Sequence, residues 1–281
     1  MVFTPTVQID DPTRLFGAAS GLPGTQTIVR CHNCSMIYEN PRFSEEAIIA
    51  GYSSSNDAGH DSQHAMRVNS FHTALEKLAP HLPARGAKVL DVGTAGGAFL
   101  EAAKRFGYDA TGLEPSRYLV DCCKDRGLDA VQGTIDNFEA ADGTYDLITL
   151  WDVIEHLARP KDALRRIHQL LKPGGTLLIN YPDIGTWQAK MAGRRFWWLL
   201  SVHLSYFAPS TIREICGRTG FSVFYIRPYW QTLRFGYLQE MAIHYKIPLA
   251  GPIHRLTPRL IRDIPVRYYA SQTTALARKQ G

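Results

Sequence analysis

Residues 88–114, KVLDVGTAGGAFLEAAKRFGYDATGLE, restrict the fold more than any other stretch of this chain. An apolar run of strand length enters a glycine-rich bend, a helical pattern follows to Gly107, and a second strand-like run ends on Glu114. Two strands joined through a helix become parallel neighbours with a right-handed crossover, because only that hand packs the helix back onto the sheet. The alternation continues. RYLVDCCKDRG, PKDALRRIHQLLKPGG and PSTIREICGRTGF read as helices, while DAVQG, YDLITLW, TLLINYP, SVFYIRP and QTTALARK read as strands. Short apolar strands separated by helices make a mostly parallel sheet covered on both faces, so the expected class is α/β with seven strands.

Before this core, residues 1–30 are rich in Pro, Gly and Thr and lead into CHNCSMIYENPR, then into the polar YSSSNDAGHDSQH. Val68, Phe71, Leu75 and Leu78 restore a helical stripe. The expected organisation is an N-terminal module and linker over 1–66 and a main domain over 67–281. Within the latter, TLRFGYLQEMAIHYKI and HRLTPRLIRDI predict a helical insertion at about 229–268, before the last strand and too long for a hairpin turn. With 281 residues, 45% hydrophobic and 20% charged, the chain can bury a core without staples. A net charge of +5 without a basic block argues against a nucleic-acid partner. Five cysteines without a disulfide pattern, no apolar run of bilayer length and a start without a secretory leader place the expectation in the cytoplasm.

Ligands of doubly wound sheets sit beyond the carboxyl ends of the strands. Asp91, Gly93, Gly96 and Gly97 occupy the first such end, and Glu114 the second, about twenty residues on, where a carboxylate can accept hydrogen bonds from ribose hydroxyls. A nicotinamide fingerprint requires glycine where Ala95 stands. Two structural readings stand beside the ligand: a bare packing turn for the glycines, and a helix start at Ser116 for the segment after Glu114.

VLDVGTAGGAFL, GLEPS, GTIDNFE, YDLITLWDVIEHLARP, LLKPGGTLLINYP and HLSYFAPSTIREICGRTGF, in this order over residues 70–228, resemble the class I S-adenosylmethionine-dependent methyltransferases. Their D-x-G-x-G-x-G pattern is met at Asp91, Gly93 and Gly97 and departs from it at Ala95. The resemblance implies a Rossmann-like fold with S-adenosylmethionine as cofactor. It implies that Gly93 and Gly97, with Thr94 between them, line the methionine portion, and that Glu114, beside Pro115, holds the ribose. Thr134 and Ile135 are expected to flank the adenine, with Asp136 near its amino group, and Trp151 and Asp152 to lie beside the methyl. A sulfonium suits such a pocket of carboxylates and an aromatic face.

The expected acceptor is a small molecule such as a sugar, a polyketide-like metabolite or a lipid precursor, methylated on oxygen. A hydroxyl must lose a proton during attack, and His156 and His203 are the candidate bases, with Tyr206 as a group that orients the acceptor. Asp152, Glu155 and His156 are also a possible cation set. Cys31 and Cys34 have the spacing of half a zinc site, which His60 and His64 would complete. Related methyltransferases carry an N-terminal zinc module ending in NPR, and here MIYENPR follows the single cysteine pair, so a zinc site and a metal-free remnant both remain open. RRFWWLL fits a peripheral membrane contact, an acceptor wall or plain packing, and the insertion fits a lid or a homodimer contact. Two other functions share these features: a nicotinamide oxidoreductase and a non-catalytic S-adenosylmethionine-binding protein.

Overall fold

The computed structural model describes residues 27–44, 46–48, 63–244 and 249–281. Seven strands form the central sheet: β3 (Lys88–Val92), β4 (Asp109–Glu114), β5 (Ala130–Gln132), β6 (Tyr145–Trp151), β7 (Leu171–Pro182), β9 (Phe221–Arg234) and β10 (Pro265–Lys279). Their order is β5-β4-β3-β6-β7-β10-β9, parallel through β7 and antiparallel at β10 and β9. The order reverses at β3, so the crevice between the ends of β3, β4 and β6 is the switch point at which such sheets take ligands.

Side-chain alternation feeds two cores. Leu90, Val92, Ile148, Leu150, Leu177 and Ile179 meet one face together with Leu164 and Ile167 of helix α4 (Pro160–Leu170) and Ile212 of α6 (Pro209–Gly217). Val89, Leu147, Trp151 and Leu178 meet the other, under Leu75 of α1 (His64–Leu78) and Phe99 of α2 (Ala98–Phe106). Strands buried on both sides read as near-continuous apolar runs, which is why KVLDV and YDLITLW were legible as strands. Each fully buried leucine or isoleucine contributes about 1.5–3 kcal/mol of transfer free energy, and these two layers hold the sheet rigid beneath the crevice. Helix α3 (Arg117–Asp125) begins with the Ser116 hydroxyl accepting from the Leu119 N–H and buries Val120 and Cys123.

Three boundaries differ from expectation. The last two strands run far beyond SVFYIRP and QTTALARK, with Arg234 opposite Pro265, so the helical insertion is narrower: α7 (Phe235–His244), α8 (Ala250–Leu256) and α9 (Arg259–Arg262). Pro228 reads as a strand end. It lies instead on the edge strand β9, opposite Thr273, where a missing N–H costs no ladder bond on the solvent side. The described part of the N-terminal module pairs with the main domain: β1 (Ile28–Arg30) pairs β2 (Ile37–Glu39), which pairs β8 (Ser205–Tyr206) just ahead of α6. Finally, RRFWWLL is largely interior. Phe196, Leu199 and Leu200 are buried, and the indole N–H groups of Trp197 and Trp198 both donate to the Ala270 carbonyl, which removes this run as a membrane contact. Among the described residues no helix is long and apolar enough to cross a membrane.

Candidate functional site

A cavity of about 510 Å³ opens at the switch point, within the range typical of small-molecule sites. The bend after β3 forms its floor. Gly93 and Gly97 take left-handed backbone, φ +72° and +82°, and a Cβ at either would lie 2.6 Å from Val153 Cγ2 or 2.7 Å from Leu128 Cδ1. Both glycines therefore serve the packing of the bend as well as its turn. Gly93 lines the cavity and Gly97 sits behind it. Ala95, where the family pattern has glycine, also takes positive φ, +49°, and its N–H donates to Glu114 Oε2 at 2.9 Å.

Glu114 ends β4 with only 6% of its surface exposed, and Oε1 accepts from the Ser116 N–H at 3.0 Å. Burial raises its pKa while the Ser116 and Ala95 N–H groups oppose the rise. Each oxygen keeps a further lone pair, and the carboxylate lines the cavity, so it is pre-aimed at a diol. Gly133, Thr134, Ile135 and Asp136 form the next wall beyond β5, with the Thr134 N–H held by Asn137 Oδ1 at 2.8 Å. Asp91 is buried beneath the bend, accepts the Thr149 hydroxyl at 2.6 Å, and is pushed up to about 7 by burial.

At the end of β6 lie Trp151 and Asp152. The Trp151 ring packs edge-on to Phe71 at 5.0 Å between centroids and faces the cavity. Asp152 adopts φ +54°, the kind of backbone strain that concentrates at functional sites. Its carboxylate accepts from Asn180 Nδ2 at 2.8 Å and Gln272 Nε2 at 2.7 Å, which ties the ends of β6, β7 and β10 together. Arg67 of α1 reaches the same space, and among the described residues its Nε finds no partner. A buried guanidinium N–H at a cavity wall is a ready anion contact.

Just past Val153, which packs on Gly93, a single 3-10 turn, Ile154–His156, and the segment leading into β8 bring Glu155, His156 and His203 together. The Leu204 N–H donates to the Glu155 carbonyl at 2.8 Å and fixes one segment on the other. The two imidazole centroids are 4.8 Å apart. His156 Nδ1 lies 2.9 Å from the Val202 carbonyl and His203 Nδ1 lies 2.8 Å from that of Trp198. A carbonyl only accepts, so each Nδ1 carries the hydrogen and each Nε2 the lone pair. Burial keeps both rings neutral, moving His156 down to about 4 and His203 well below its ordinary value, the latter helped by His156. Glu155 is 2% exposed and both carboxylate oxygens lack partners among the described residues; burial first, then the charge of Asp152, holds its pKa well above the carboxylate range.

A family model described as a methyltransferase domain matches residues 60–226, more than half of the chain and all the strands that build this crevice up to β9. The chain belongs to that methyltransferase family. The ubiquinone biosynthesis O-methyltransferases of Xanthomonas campestris pv. campestris (strain B100) and Xanthomonas oryzae pv. oryzae (strain PXO99A) are 33% and 32% identical to it over 113 residues, 38% of this chain. This chain spans about half the length, 47%, of those relatives. A SAM-dependent methyltransferase from Archaeoglobus fulgidus shares the fold with a TM-score of 0.55 at 18% identity, covering 79% of this chain and 100% of that one. The methyltransferase solved in complex with the Trm112 activator of Haloferax volcanii reaches 0.57 at 18% identity, over 83% and 98%.

Within this methyltransferase-family domain, the crevice gathers Asp91, Gly93, Thr94, Glu114, Pro115, Thr134, Ile135, Asp136, Trp151, Asp152, His156 and His203. Tyr206 is not brought there. It is buried in β8 behind His203, its ring centroid 6.3 Å from that imidazole and its hydroxyl near the Leu200 carbonyl, because pairing with Ile37 turns the strand inward. Nor do the expected zinc ligands assemble among the described residues. His64 Nε2 is 2.8 Å from Glu101 Oε2 across the α1–α2 contact, and His60 lies outside the described residues. Sequence reasoning missed Arg67 and Phe71, and it missed Tyr237, Glu240 and Met241 of α7, which also line the cavity. The stripe of α1 gave Phe71 as a core residue, and no local pattern sets Arg67 apart from any surface arginine.

Proposed function

We propose that this methyltransferase moves a methyl group from S-adenosylmethionine to an oxygen of a small-molecule acceptor. The observation that carries the donor is Glu114: a buried carboxylate, its two oxygens steadied by N–H groups of the glycine bend and of Ser116, facing a cavity of nucleoside size. The residues fit that cofactor. Glu114 receives the ribose hydroxyls, the 133–136 wall flanks the base, and Arg67 meets the carboxylate of the amino-acid end. When bound, S-adenosylmethionine supplies a methyl carbon on a sulfonium, which the acceptor oxygen takes while the carbon–sulfur electron pair stays on sulfur.

Positioning supplies much of the rate of such an in-line displacement, and the chain's part is to hold the acceptor against the Trp151–Asp152 end of the crevice. The paired neutral imidazoles of His156 and His203 support a hydroxyl acceptor, since each turns a basic Nε2 away from its anchoring carbonyl. The Xanthomonas relatives, O-methyltransferases of ubiquinone biosynthesis, point the same way. The lining of Phe71, Leu200, Val202 and Met241 suits an acceptor with an apolar body.

Titration calorimetry with S-adenosylhomocysteine tests the donor. Two hydrogen bonds to a charged acceptor contribute enough that Glu114→Ala is expected to weaken binding about 100-fold or more. Equal affinity in the variant would remove Glu114 from the ribose and with it this reading.

A further inference from the structure

We propose that Glu155, His156 and His203 form a binding site for a divalent first-row transition-metal cation on the acceptor side of the crevice. One ring nitrogen of each imidazole and a Glu155 carboxylate oxygen lie within 4.8 Å of one another. Ligand bonds to such cations are about 2.0–2.2 Å, so neighbouring donors on one side of an ion stand about 3 Å apart, and the three side chains draw together by up to about 2 Å to close the set. Two histidines and one carboxylate on one side of an ion, with open positions on the other, is a recurrent arrangement for iron, cobalt, manganese and zinc.

Three independent features distinguish this cluster from a chance meeting of polar side chains. Glu155 is buried with neither oxygen partnered among the described residues, an arrangement that is costly unless something positive or hydrogen-donating faces it. Both imidazoles hold Nδ1 against a backbone carbonyl, at 2.9 Å for His156 and 2.8 Å for His203, the kind of contact that orients metal-bound histidine. All three residues line the cavity beside Trp151 and Asp152, so the open positions of a bound cation face the space assigned to the acceptor. Asp152 stands outside the set: its carboxylate is not within the donor distances of the cluster and is turned to Asn180 and Gln272.

This inference rests on the methyltransferase reading for its role and deepens it. With a cation bound, His156 and His203 serve as its ligands in place of acting as bases; the cation would take the acceptor's hydroxyl oxygen and ease its ionisation, the proton leaving to solvent water and the oxygen's electron pair making the new bond to carbon as the carbon–sulfur bond breaks.

The test is titration of the chelator-treated, full-length protein with cobalt(II) alone, followed by its visible absorption. One equivalent is expected to bind with the spectrum of nitrogen and oxygen ligands, and Glu155→Gln and His203→Gln are each expected to weaken it at least tenfold while S-adenosylhomocysteine still binds to both. Glu114→Ala should lose S-adenosylhomocysteine and keep the cobalt, which separates a failure here from a failure of the donor assignment. Absence of binding to the parent protein, equal binding in Glu155→Gln, or a spectrum dominated by sulfur ligands from Cys31 and Cys34 would overturn the site.

Discussion

Arg67 illustrates how the crevice divides its work among single residues. Its Nε is without a partner among the described residues, it stands near Asp152, and it lines the cavity. Arg67→Met is expected to weaken S-adenosylhomocysteine about tenfold, the worth of one charge-assisted contact. It should leave methylthioadenosine, which lacks the amino-acid end, unchanged; calorimetry with both ligands reads the difference, and an equal loss for both would place Arg67 elsewhere. Asp91 gives a pH signature. Its carboxyl sits at about 7 in the folded chain against 3.8 ordinarily, so the folded state holds the proton more tightly. That contribution to stability is complete below pH 3.8 and is lost as pH rises through about 7. Asp91→Asn, which keeps an oxygen for the Thr149 hydroxyl, should therefore gain melting temperature relative to the parent between about pH 5 and 8. A difference that stays flat across that range would show that Asp91 ionises normally. Glu114 was legible because a strand end and a twenty-residue offset are local measures. The partnership of His203 with Glu155 was not, since forty-eight positions separate them along the chain.

Among the elements, the long β9–β10 ribbon is the least expected. The antiparallel pairing continues from Phe221–Lys279 to Arg234–Pro265, so the helices α7 to α9 hang from the tip of a ribbon that already belongs to the sheet. The apolar side chains of Leu249, Ile253, Leu256 and Leu260 are exposed there, whereas Tyr237, Glu240 and Met241 of α7 face the cavity. Replacing 235–264 by Asn-Gly, a pair suited to a two-residue hairpin turn, should leave the sheet closed because its neighbours already face each other. The shortened chain is expected to unfold in one cooperative transition and still bind S-adenosylhomocysteine, with methyl transfer to the acceptor lost. Circular dichroism and calorimetry check the first two points, and a molten or aggregated product would mean that the insertion holds the sheet together.

At the scale of the whole molecule, the crevice joins both cores: Trp151 belongs to one, Val92 and Ile135 to the other, and all three line the cavity. A ligand seated across that seam should stabilise the chain as a unit. At one hundred times its dissociation constant it contributes about 2.7 kcal/mol, which for a chain of this size raises the melting temperature by about 5–10 °C. Differential scanning fluorimetry with S-adenosylhomocysteine measures the shift, and Glu114→Ala should abolish it at the same concentration. A shift that survives in the variant would mean that the compound binds somewhere other than this crevice.

Strand and helix identity, the glycine bend and the acid at the end of β4 were written into the sequence by itself, because periodicity, turn chemistry and short offsets act between residues a few positions apart. Pro228 shows the limit of that reasoning: the same residue ends a strand or sits harmlessly within one, depending on whether the strand lies at the sheet edge. The tertiary structure alone decided that Tyr206 packs behind the crevice, that His64 meets Glu101 in place of the cysteine pair, and that Arg67, Glu155 and His203 converge on one cavity. Such contacts follow from how helices and strands stack after long loops close, and no local pattern encodes the distance between them.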